Sequence, residues 1–183
     1  MRGRGGRRGG CALVLAVAVG LLLGGARRLP AAERGAGRGS WPRVHTASAL
    51  RTMLEWTLDG AARRLESPEC QAVFADFKDE RGRPLHERMA DLGVPVQTYL
   101  EWVVFYDGTD MGSCRRDGVL AFTGQGHRVV YVCRERFERE WMAGKARYAE
   151  IVLIHEMLHT LGLGENPPSS RDITNRVQKR CDP

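Results

Sequence analysis

Residues 151–165 read I-V-L-I-H-E-M-L-H-T-L-G-L-G-E, and the rest of the chain has to be organised around them. Four aliphatic residues precede His155, and Leu158 and Leu161 carry an apolar stripe onward at helical spacing. A helix this apolar belongs in a core. It nevertheless carries His155, Glu156 and His159, and polar groups taken out of water must find partners where they are buried.

On a helix, residues four apart sit one above the other, with Cβ atoms about 5–6 Å apart. That separation suits two imidazoles converging on one zinc ion at about 2.0–2.1 Å each. His155 and His159 are therefore the expected metal ligands. Glu156 is turned roughly 100° round the helix from His155 by the 3.6-residue repeat, which sets it beside a metal rather than on it. There it is placed to act as general base toward a water activated by zinc. The plainer alternative is a core helix whose histidines satisfy each other or the backbone.

Gly162 follows His159 by three residues, where a glycine can take the left-handed conformation that ends a helix, and Glu165 follows by three more. With these residues the stretch His155 to Glu165 resembles the metzincin family of zinc peptidases, whose motif H-E-x-x-H-x-x-G-x-x-H uses the glycine turn to bring a third ligand to the metal. An acid stands at that third position here, as in small secreted peptidases of the snapalysin kind. A carboxylate oxygen is an acceptable zinc ligand. Glu165 is the expected third ligand, with Asp172 and His127 as alternatives. No Met follows Met157, so the methionine turn of metzincins has no counterpart, and no Glu follows Glu165 to serve as in the thermolysin-like group.

The chain begins with a basic stretch, an apolar run over residues 11–23 and small residues at Gly24 and Ala26. This pattern predicts a secretory signal peptide over residues 1–26, too short to span a bilayer. Four arginines, at positions 2, 4, 7 and 8, lie in that leader, so most of the formal charge of +6 leaves with it. A nucleic-acid partner loses its main support. Residues 27–44, rich in Gly, Ala, Arg and Pro, are expected to form a flexible linker or pro-segment. Beyond the leader remain Cys70, Cys114, Cys133 and Cys181. With no C-x-x-C pair they suggest two disulfides, taken as Cys114 with Cys133 and Cys70 with Cys181.

From His45 onward the patterning predicts one domain. A helix is expected over residues 46–59, with Gly60 as a possible interruption, and a second helix opening at Ser67-Pro68. Residues 78–84 read as a charged turn. The chain becomes β-like near Tyr99, with a strand over 102–106, and strands over 119–123 and 127–133 flank the turn Gly124-Gln125-Gly126. Zincins commonly hold an extended substrate along the edge of a strand just before the active-site helix, a place 127–133 would take here. A charged helix spans 134–145, and Ser169 caps a last amphipathic helix ending at Cys181.

The expected fold is α+β, a small zincin-like domain over 45–183 with helices packed on a short, mostly antiparallel sheet. The expected function is that of a secreted zinc metallopeptidase, extracellular or periplasmic, monomeric, acting on a peptide or protein substrate, with no nucleic-acid partner and no stable membrane insertion. Tyr148 and Tyr131 are candidates for oxyanion stabilisation by residue type. The alternative is a zinc-binding or cell-envelope-associated protein that keeps the fold without proteolysis.

Overall fold

A computed structural model describes Trp41 and residues 43–182. The predicted leader and most of the predicted linker lie outside the described residues. The part of the linker that is described is not a linker. Trp41 and Val44 are buried, the Trp41 indole donates to Asp59 Oδ1 at 2.8 Å, and Val44 belongs to the sheet. Two apolar side chains were enough to bring the end of a Gly- and Arg-rich stretch into the core.

In chain order the elements are β1 (Val44–His45), α1 (Ser48–Arg64), the short α2 (Pro68–Gln71) and α3 (Val73–Asp76), α4 (Leu85–Leu92), α5 (Val96–Trp102), β2 (Val104–Asp107), β3 (Ala121–Thr123), β4 (Val129–Val132), α6 (Arg134–Met142), α7 (Ala146–Thr160) and α8 (Ser170–Cys181). The class is α+β. The sheet runs β1-β2-β4-β3, with β1 and β4 both parallel to β2 and only β3 antiparallel. The expectation of a mostly antiparallel sheet is thus wrong. Strands this short carry no directional signal, and the chain returns between β1 and β2 through five helices. The strand directly preceding α6 and α7, β4, is interior; the free edge beside α7 belongs to β3.

Helix α7 is central. Every residue from Ile151 to Thr160 is buried, against α1 on one side and the sheet on the other. Gly60 does not interrupt α1. A Cβ there would lie 2.2 Å from Glu150 Oε1 of α7, so the glycine marks the close approach of the two helices, which Arg64 and Glu150 clasp at 2.6 Å. Tyr99 is helical rather than extended, and its hydroxyl meets Thr160 Oγ1 at 2.9 Å in the core. On the outward face of the sheet His45, Tyr106, Tyr131 and Phe122 form a row of neighbouring rings, with centroids 5.1, 6.2 and 5.3 Å apart.

Both expected disulfides are present, Cys70 with Cys181 and Cys114 with Cys133. The first ties α2 to the end of α8. The second fastens the loop between β2 and β3 to the start of α6.

Candidate metal centre

The centre is made where α7 stops. Gly162 takes φ 105°, its N–H reaching the His159 carbonyl at 2.9 Å, and Leu163 N–H returns to Leu158 O at 3.2 Å. This is the glycine-terminated helix end that the spacing suggested. The turn is pinned from outside: Leu163 is buried and pairs with Asp79 in an isolated bridge, while Gln125 Nε2 donates to the Gly162 carbonyl at 2.8 Å. The β3–β4 turn adds a bond from Gly126 N–H to His159 O at 2.8 Å.

His155 Nε2 and His159 Nε2 stand 2.9 Å apart, and Glu165 Oε1 lies 3.3 Å from the second and 3.7 Å from the first. These are the only three His, Cys, Asp or Glu side chains among the described residues that come together as a possible metal group. Ligand atoms of a tetrahedral ion at about 2.0–2.2 Å stand roughly 3.3–3.6 Å from one another, and the sides of this triangle, 2.9, 3.3 and 3.7 Å, fall on either side of that spacing. The donor chemistry agrees. His159 Nδ1 meets the Leu163 carbonyl at 2.8 Å, and because a carbonyl only accepts, a neutral His159 carries its proton there and turns a lone pair toward Glu165. A lone pair and a carboxylate facing each other form a donor set that a cation would accept.

The charges are arranged to match. Burial pushes the pKa of His155 down, with Glu165 opposing, which favours the neutral ligand form. Glu165 is held down to about 2, first by the His155 ring beside it, then against desolvation by His159 and the Ser170 hydroxyl. Glu156 goes the other way. Its carboxyl is buried, and burial first, then the Glu165 charge, raise its pKa well above the ordinary value, offset in part by the Thr123 N–H. Two carboxylates in one site are thereby driven apart in proton affinity, the pattern expected of groups with separate tasks.

A cleft of about 470 Å³ opens over this centre, walled by β3 on one side and by Leu163, Gly164 and Glu165 on the other, with Glu156 and His159 at its floor. Of the alternative ligands, His127 folds its ring back over Gly124, and Asp172 takes the hydroxyl of its own cap residue Ser169 at 2.6 Å. Neither joins the group. Neither Tyr131 nor Tyr148 lines the cleft: Tyr131 stands in the aromatic row and Tyr148 is an exposed residue at the start of α7. The residues that sequence reasoning did not single out are the partners of these side chains. Thr174 of α8 meets His155 Nδ1 at 2.8 Å, Leu163 offers its carbonyl to His159, Ser170 steadies Glu165, and Thr123 reaches Glu156. A threonine nineteen positions beyond a histidine carries no signal without the turn that brings it back.

Models of known protein families, characterised proteins and solved structures were each searched with this chain, and none matches.

Proposed function

We propose that the chain is a secreted zinc metallopeptidase of zincin-like architecture, with His155, His159 and Glu165 as the metal ligands and Glu156 as general base. The observation that carries this is the convergence of three ligand atoms beside a buried carboxyl of raised pKa, at the floor of a cleft bounded by an unpaired strand edge. When bound, zinc supplies Lewis acidity, polarising the scissile carbonyl and acidifying water near neutral pH.

The chain's own groups would do the rest. Glu156, its proton affinity raised by burial, takes the proton of the attacking water and returns it to the leaving amine. The edge of β3 that β4 does not cover offers backbone groups to an extended peptide, giving affinity with little sequence selectivity. Arg116 is the only arginine or lysine among the described residues lining the cleft; its guanidinium touches Ser113 Oγ at 3.3 Å, and it replaces the two tyrosines as the candidate for stabilising developing negative charge. Two disulfides fit an oxidising compartment. Among the described residues no helix is long and apolar enough to cross a membrane. The substrate is a peptide or protein, no nucleic acid is involved, and the chain acts as a monomer.

The test is casein hydrolysis by wild type and Glu156→Gln at equal zinc content. Removal of the base should cost about 10²–10⁴-fold in rate. Equal rates would remove Glu156 from the mechanism. The absence of both tyrosines from the cleft favours one second reading, a zinc-binding protein without proteolysis, which predicts zinc in the wild type and no hydrolysis at all.

A further inference from the structure

Four groups form one unbroken run of close polar contacts through the centre. Thr174 Oγ1 lies 2.8 Å from His155 Nδ1, His155 Nε2 lies 2.9 Å from His159 Nε2, and His159 Nδ1 lies 2.8 Å from the Leu163 carbonyl oxygen. The carbonyl end sets the direction. It places the proton of a neutral His159 on Nδ1 and leaves its Nε2 an acceptor. The Nε2–Nε2 contact then takes its proton from His155, whose Nδ1 accepts from the Thr174 hydroxyl. In that tautomer His155 has no Nε2 lone pair to offer a cation. For both rings to ligate through Nε2, the His155 proton has to sit on Nδ1, with Thr174 accepting it.

We propose that the Thr174 hydroxyl is the positioning group that lets His155 exchange tautomers, donating to Nδ1 in the metal-free protein and accepting from Nδ1–H when a divalent cation is held. The inference rests on the zinc reading above. A hydroxyl is suited to this because it both donates and accepts. A carboxylate or carbonyl in its place would only accept, pinning the ligand tautomer and leaving the Nε2–Nε2 contact of the metal-free pair without a proton. A methyl group would serve neither form. The element carrying Thr174 is itself tethered, through Cys70–Cys181, through Arg180 to Asp76 at 2.8 Å, and through Arg64 Nη1 to the Cys181 carbonyl at 2.5 Å. These ties keep the hydroxyl within reach of the ring.

The experiment uses the full chain as wild type, Thr174→Val and Thr174→Ser, with zinc affinity measured by competition against a chromogenic chelator. Imidazole ¹⁵N shifts of His155 are read in metal-free and zinc-loaded wild type, and circular dichroism checks that each variant is folded. Loss of an outer-shell partner should weaken zinc binding about 10–100-fold in Thr174→Val, and Thr174→Ser should restore it. His155 should be protonated on Nε2 without metal and on Nδ1 with it. A folded Thr174→Val that binds zinc as tightly as wild type, or a His155 protonated on Nδ1 in both states, overturns the proposal while leaving zinc binding intact. A wild type that binds no zinc overturns the zinc reading and this inference with it.

Discussion

The two halves of the candidate centre are held by different physics. His155, Glu156 and His159 ride on α7, where every position from 151 to 160 is buried and the helix packs on α1 and the sheet. Glu165 stands on the chain that leaves the helix, with its side chain 37 % exposed, and its surroundings are fastened by the bridge between Leu163 and Asp79, by Ser170 of α8, and by the disulfide at the far end of α8. Core packing therefore positions the two candidate ligands and the candidate base, while discrete polar and covalent ties position the third candidate ligand. Changes to the apolar packing side chains of α7 should act mainly on the fold, and changes at Glu165 mainly on the centre.

The largest effect should come from the disulfide that ties the end of α8 to α2. Replacing Cys70 and Cys181 together by Ala opens a loop with a sequence separation of 111. Loop entropy predicts a loss of about 4–5 kcal/mol for a loop of that order, against about 3 kcal/mol for one of the length closed by Cys114 and Cys133. Urea unfolding of the two double variants checks the order, and equal losses would show that native packing rather than chain entropy sets the scale.

Ile154→Ala sharpens the contrast from the side of α7. A fully buried methyl-rich side chain replaced by Ala should cost about 2–5 kcal/mol of stability, with zinc affinity of the folded protein unchanged. Glu165→Ala should do the reverse, lowering zinc affinity with less than about 1 kcal/mol lost from the metal-free protein, as expected of a partly exposed side chain. If both variants changed both quantities equally, the division between the halves would be wrong.

Glu156→Gln should stabilise the metal-free protein. The Glu156 carboxyl binds its proton more tightly folded than unfolded, so it makes wild-type stability fall as the pH rises above the ordinary 4.5 toward its raised value. Gln removes that slope, so the variant should be the more stable of the two at pH 8. An unfolding free energy at pH 8 no higher than wild type would mean that the buried carboxyl is not strained by its surroundings.

The smallest effect lies at acid pH. Glu165 titrates at about 2 in the folded chain against an ordinary 4.5, so its contribution is complete above pH 4.5 and lost as the pH falls through 2. Glu165→Gln should flatten the acid limb of the metal-free stability curve slightly, given exposure of the carboxylate to solvent. An unchanged limb would place the acid sensitivity elsewhere.

The same division explains what could be read from the chain alone. α7, the Ser169 cap of α8, the β3–β4 turn and the bringing of Glu165 beside the histidines all follow from local patterns: apolar periodicity, a capping hydroxyl, a glycine at a helix end. The sheet direction, the burial of Trp41 and Val44 and the helical state of Tyr99 do not, because each is decided by what the segment packs against. No element was expected between residues 85 and 98, although Gly93 and Pro95 punctuate the two helices found there. Thr174 and the Leu163 carbonyl escaped for the same reason, since their roles exist only after the chain has turned back on α7.

The most direct test of the account is zinc content by elemental mass spectrometry on the purified chain, wild type beside His155→Ala and Glu165→Ala. The account predicts about one zinc per wild-type chain, as a single site of this ligand set requires, and loss of the metal in both variants. No zinc in a folded wild type would return His155, His159 and Glu165 to a hydrogen-bonded cluster on a core helix and contradict the central claim.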